Sequence, residues 1–271
     1  MSAVGIVPTP FGEPVEELFL TEPPLIVALA QVRFPPVASM ARDEFTGPFQ
    51  ERIREAYPFL RQERETVSIQ LNEAGVQAET SSSPVWRFSD HPRDPVWKVS
   101  LATSFVALDT VDYPSHKEFL RRLRELLTAL KETVNPASCT RIGLRYVDRI
   151  EADSDLPRLI RPEMLGIVST EHGVGAQLLH ELSDAHFNCS GAVLHGRWGL
   201  LPPNAVLETL HGSSVAAPTW VLDLDMYADG VDVPFDVDQL LDMAERFAKD
   251  IYRFFRWAVT PELLRRCGGE L

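Results

Sequence analysis

From residue 24 onward the chain alternates between two hydrophobic rhythms, one of period two and one near 3.6, and each change of rhythm marks an element. LIVALAQVRF (25–34) puts Ile26, Ala28, Ala30, Val32 and Phe34 on one face and Gln31 and Arg33 on the other, which predicts a strand. Pro35 and Pro36 end it. In DEFTGPFQERIREAYPFL, Phe45, Phe49, Ile53 and Tyr57 are four apart and form a helical stripe, with Pro48 expected in the first turn and Pro58 as the stop. Short strands follow at ETVSIQL (65–71), VWRFSD (85–90), VWKVSLAT (96–103) and SFVALDTV (104–111). Ser115 and Glu118 then make a capping box, and Phe119, Leu123, Leu126, Leu127 and Leu130 form the stripe of a helix over 116–133.

The order then repeats. SCTRIGLRYVDRIEA (138–152) reads as a strand, and DLPRLIRPEMLGI as a helix broken by Pro162. GVGAQLLHELSD (173–184), GAVLHGRWGLL (191–201) and PTWVLDLDMYA (218–228) read as strands. A second capping box, Asp236 with Gln239, opens a long helix whose stripe runs through Leu240, Ala244, Phe247, Ile251, Phe254 and Phe255, and TPELLRRCG closes the chain as a short helix. The expected fold is α+β: an extended arm over 1–23, a first unit over 24–134 and a second over 135–271, each an antiparallel sheet packed on a long helix. This duplicated order matches the TATA-binding-protein type of fold, with a helix-grip fold as the other candidate. Fold analogy of this kind carries no function.

Several of these stretches also carry a resemblance. PLIVALAQVRFPP, VWRFSD, VWKVSLATSFVALDTVDYPSHKEFLRRLREL, TRIGLRYVDRI and FFRWAVTPELLRR together resemble the "sporadically distributed" family of bacterial proteins, over most of the chain from residue 24. That family has no settled activity and no established catalytic residues, so the resemblance assigns no site. It implies a soluble bacterial protein, and the family's patchy occurrence suggests an accessory role in defence or toxin neutralisation.

Composition narrows the function classes. A net charge of −13 over 271 residues repels phosphates and disfavours nucleic acid as a partner. Three widely spaced cysteines, Cys139, Cys189 and Cys267, form neither a disulfide framework nor a metal knuckle and fit a reducing, cytoplasmic setting. The N-terminal stretch lacks the basic and apolar regions of a signal peptide, and no apolar run is long enough to span a membrane. Glycine-rich phosphate loops, HExxH and GxSxG are absent from the sequence, and no cofactor is expected.

The candidate chemistry lies in the second half. In RIGLRYVDRI (141–150), Arg141, Arg145 and Arg149 share one strand face with Gly143 and Val147, while Ile142, Leu144, Tyr146 and Ile150 face the other way. Asp223, Asp225 and Tyr227 share a face of a later strand, and His195 and Arg197 share a face of another. Arg145 is expected to lie opposite Asp223 or Asp225. One reading is a solvated sheet face held by cross-strand charge pairs. The other is a recognition surface for a protein partner, to which Trp86, Arg87, Phe88 and Trp198 add aromatic and guanidinium groups. HELSDAHFNC (180–189) with His195 offers metal-ligand atoms from His180, Asp184, His186, Cys189 and His195, although ordinary sheet and turn histidines are the commoner case. A non-enzymatic binding or regulatory protein is the leading expectation. A metal-dependent hydrolase built on the His180–His195 region with Asp223 and Asp225 is the alternative. A homodimer is also expected, because the apolar stripe of the long helix extends to Trp257.

Overall fold

The computed structural model describes residues 12, 16–64, 70–72, 75–77, 84–170, 175–205 and 216–270. The fold is mixed α and β, a multi-stranded antiparallel sheet with several helices packed on it. No helix among the described residues is long and apolar enough to cross a membrane. The strands are β1 (Leu25–Arg33), β2 (Phe59–Arg64), β3 (Gln70–Asn72), β4 (Gly75–Gln77), β5 (Pro84–Ser89), β6 (Trp97–Ala102), β7 (Phe105–Thr110), β8 (Ser138–Glu151), β9 (Glu181–Cys189), β10 (Ala192–Leu201) and β11 (Thr219–Pro234). The helices are α1 (Asp43–Ile53), α2 (His116–Thr133), α3 (Leu156–Leu159), α4 (Pro162–Leu165), α5 (Val237–Ala258) and α6 (Pro261–Arg266).

Two compact units are assembled from separated stretches of chain. One comprises residues 1–28, 144–227 and 245–271, and the other 29–143 and 228–244. In the second of these, the strand order β2-β5-β6-β7-β1 is antiparallel from β2 to β7. Phe88 on β5 meets Phe49 of α1 at 5.7 Å, and Trp97 on β6 meets Phe119 of α2 at 6.0 Å. The Ser115 hydroxyl caps α2 by accepting from the Glu118 N–H at 3.1 Å. Trp86 and Phe88 are 1% and 0% exposed, so they build this core and present no aromatic surface to a partner. Arg87, on the opposite face of β5, is tied to Glu63 at 3.1 Å.

The unit of residues 144–227 carries the sheet order β1-β8-β11-β10-β9, with β9 at the edge. Its core face holds Leu144, Leu194, Trp220, Leu222 and Leu224, together with Phe247, Ile251 and Phe254 of α5, all buried. Phe254 meets Phe187 of β9 at 5.6 Å and Trp198 of β10 at 6.2 Å. Trp198 is therefore also a packing residue, which removes it from the expected recognition surface. Trp257 lies 5.5 Å from Phe254 and has the Arg161 guanidinium over its ring at 5.5 Å, so contacts within the chain meet the end of the apolar stripe. Residues 16–22 run without regular structure against α5 and α6. The Leu18 N–H donates to the Tyr252 hydroxyl at 2.8 Å, and the Glu22 N–H donates to the Cys267 carbonyl at 3.1 Å.

Several elements depart from the pattern reading. α1 begins at Asp43, so Pro48 sits inside the helix rather than in its first turn. β2 had no sequence signal, because FLRQER is a polar edge strand with little alternation. The strand expected over 173–184 begins at Glu181 and runs on to Cys189, and β11 continues past Ala228 to Pro234. Residues 65–69 of the strand expected over 65–71, residues 173 and 174 of GVGAQ, and most of the N-terminal arm lie outside the described residues, and Gln70 and Leu71 fall in β3.

Candidate functional site: the polar face of β8, β11, β10 and β9

A two-residue turn sets the geometry of the edge. Ser190 and Gly191 have φ values of +50° and +90°, the conformation that joins right-twisted strands in a tight hairpin. Glycine takes the second of these without a steric penalty. Counting outward from the turn fixes the register. Cys189 pairs with Ala192, His186 with His195, and Asp184 with Arg197. On the other side of β10, His195 pairs with Asp225, Arg197 with Asp223, and Val193 with Tyr227. Alternation then places Asp184, His186, His195, Arg197, Asp223, Asp225 and Tyr227 on one face.

The centre of this face is a three-way charge contact. Arg145 Nε donates to Asp223 Oδ1 at 2.7 Å, and Arg145 Nη2 donates to Asp223 Oδ2 at 2.5 Å, a bidentate fork. Arg197 Nη2 donates to the same Oδ2 at 2.8 Å. Asp223 is only 3% exposed, so this is a carboxylate withdrawn from water and compensated by two guanidinium groups. Of the two carboxylates considered as partners for Arg145, Asp223 is the one it grips. Arg149 lies on the same strand face, half-buried, with Nη1 buried and lacking a hydrogen-bond partner among the described residues. Arg141 belongs to the other unit, where its Nη1 donates to Gln31 Oε1 at 3.4 Å.

The edge carries a second group. His195 Nε2 lies 2.9 Å from Asp184 Oδ2, and His186 Nδ1 lies 3.7 Å from Asp184 Oδ1. The two imidazoles stack with centroids 4.1 Å apart and planes within 11°. The hydrogen bond from His195, helped by the charges of both histidines and Arg197, holds the Asp184 carboxyl below its usual range. His180 is exposed and precedes the strand. Cys189 falls on the opposite, Phe187 side of β9, so alternation separates it from the histidines. Burial pushes the Cys139 thiol up to about 11 and raises Cys189 and Cys267 as well. None has the electropositive setting of a reactive thiolate.

One residue of chemical interest escaped the pattern reading. Asp148 points to the core face of β8 among Leu144, Tyr146 and Ile150 and is 5% exposed. Burial, with the negative charge of Asp223 adding to it, pushes its carboxyl from the ordinary 3.8 up to about 8. A raised carboxyl favours the folded state most when protonated. Its contribution is therefore full below pH 3.8 and is lost as pH rises toward 8. The melting temperature of the wild type is expected to fall between pH 5 and pH 8 from this group. Asp148→Asn, which mimics the neutral acid, is expected to flatten that slope. Equal slopes for the two proteins in pH-resolved thermal melting would remove Asp148 as the cause.

Comparison with family models, curated proteins and solved structures gives no match to the chain.

Proposed function

We propose that the protein is a non-enzymatic binding protein that engages a protein partner through the polar face of β8, β11, β10 and β9. The observation that carries this reading is the double grip of Arg145 and Arg197 on Asp223. It fixes two guanidinium groups on a sheet face while leaving their side chains 21% and 32% exposed. A side chain already held in place loses less entropy when a partner docks on it. Arginine and tyrosine are also enriched at protein interfaces, and Tyr227 stands on the same face. The face interleaves Asp184, Asp223 and Asp225 with its arginines, which suits a partner surface of mixed charge better than a run of phosphates. The metal-dependent hydrolase reading would require Asp223 as base or ligand, and both of its oxygens are taken by arginine.

The test is affinity capture from the native host, followed by titration of the purified partner against the wild type and Arg197→Ala. Loss of a central interface arginine is expected to weaken binding by at least about 2 kcal/mol, roughly 30-fold. Undiminished affinity in a folded Arg197→Ala protein would remove this face as the docking surface. A bacterial accessory role in defence or toxin neutralisation is the setting that the family resemblance implies. We attribute the repeated order of strand, helix, strands and long helix to duplication of one module of TATA-binding-protein type. The succession of β1, α1, β2, β5–β7 and α2 parallels that of β8, α3–α4, β9–β11 and α5, with one more sheet strand in the first half, and supports that attribution.

A further inference from the structure

We propose that Asp184, His186 and His195 form a binding site for a divalent transition-metal ion, with Zn2+ as its representative. This site lies at the β9 edge of the same face, and its existence does not depend on the partner-binding reading. One ligand atom from each residue lies within 4.8 Å of the other two. Four-coordinate zinc holds nitrogen and oxygen ligands at about 2.0–2.2 Å, which sets neighbouring ligand atoms about 3.4 Å apart. The shortest approach, His195 Nε2 to Asp184 Oδ2 at 2.9 Å, is already inside that spacing, and His186 Nδ1 to Asp184 Oδ1 at 3.7 Å is close to it. The Asp184 and His186 side chains are 53% and 56% exposed, and closing the remaining gap turns the His186 ring out of its stack on His195 toward solvent.

The backbone places the three donors together. His186 and His195 are directly opposed across the hairpin, and Asp184 is two residues before His186 on the same face of β9. Arg197, the cross-strand partner of Asp184, is the cation placed to compete for its carboxylate. That guanidinium donates instead to Asp223 on the far side, at 2.8 Å. The Asp184 carboxylate is left to the imidazoles. β9 is an edge strand, so solvent reaches the site and the remaining coordination positions stay open to water. Two imidazoles and one carboxylate suit zinc, nickel or copper, whereas magnesium and calcium prefer all-oxygen sets.

The test is isothermal titration of tag-free, metal-free chain with ZnCl2, with Co2+ absorption as a second readout. The expected result is one Zn2+ per chain and, with cobalt, a visible band of nitrogen-containing coordination. His186→Ala and His195→Ala are each expected to weaken zinc binding by about tenfold or more, and Asp184→Asn to weaken it by a smaller factor. His180→Ala, outside the cluster, is expected to change nothing. MgCl2 is expected to give no saturable heat. Wild type that binds neither Zn2+ nor Co2+ would overturn the proposal and leave a histidine–aspartate hydrogen bond beside a ring stack. So would zinc binding retained in a folded His186→Ala/His195→Ala double variant.

Discussion

Asp223→Ala is expected to destabilise the protein by about 3 kcal/mol, the lower end of the range for breaking a buried ion pair from one side. The substitution leaves the Arg145 and Arg197 guanidinium groups facing each other across the space the carboxylate filled. Three charge-assisted hydrogen bonds disappear together. The loss stays at the lower end because both arginine side chains keep some contact with water, 21% and 32%, and hydration recovers part of it. A double-mutant cycle on Arg145→Ala and Asp223→Ala is expected to give a coupling above the 0.2–1 kcal/mol typical of exposed pairs. Reversing the pair, with Arg145→Asp and Asp223→Arg together, is expected to recover part of what either change loses alone. Urea unfolding at constant m value measures all of these. Coupling within the exposed-pair range would mean that the contact is a surface ion pair despite its burial.

Much of this contact was legible in the sequence, because period-two alternation fixes which residues share a face. Arg145 with Arg149, His195 with Arg197, and Asp223 with Asp225 each follow from parity alone. The same rule was sufficient to place Trp198. It adjoins Arg197 in a strand, so the two cannot face the same way, and the structure sends the tryptophan to Phe254. Trp86 and Phe88 obey the same logic around Arg87, and both are buried. Choosing between Asp223 and Asp225 required the register of β8 against β11, which composition and periodicity do not carry. The pairing of His186 with His195 was within reach. The Ser190-Gly191 dipeptide is a turn signal, and counting outward from it opposes the two histidines. The signal was hidden because LLHELSD reads as the more hydrophobic strand, while β9 sits at an edge with a polar outer face and Phe187 as the one large apolar residue on its inner face. Asp148 was overlooked for the opposite reason. One carboxyl in an apolar row does not disturb the hydrophobic pattern, and only burial makes it unusual.

Gly199→Ala is expected to cost about 3 kcal/mol or more and to loosen the edge on which the histidine pair stands. Gly199 has φ +150°, a conformation that side chains bearing a Cβ seldom adopt, and it lies directly opposite Leu182, next to the Glu181–Leu200 pair. A Cβ added there would stand 2.1 Å from the Glu181 carbonyl oxygen and 2.9 Å from its carbonyl carbon. Both are backbone atoms, so no side-chain rotation relieves the clash. β9 and β10 must separate at that end or the chain must leave its conformation, and either loses ladder hydrogen bonds along with the steric cost. Because the hairpin turn lies at the other end, the damage should decline from Gly199 toward Ser190. Hydrogen exchange is therefore expected to accelerate most at residues 181–183 and 198–200, less at His186 and His195, and least beside the turn. Gly196→Ala, whose Cβ would come nearest to the Trp198 ring at 3.3 Å and Leu224 at 3.4 Å, both side chains, is expected to be much milder, since side chains can yield there. Equal melting temperatures for the two glycine variants would show that the close approach to Glu181 does not hold in solution.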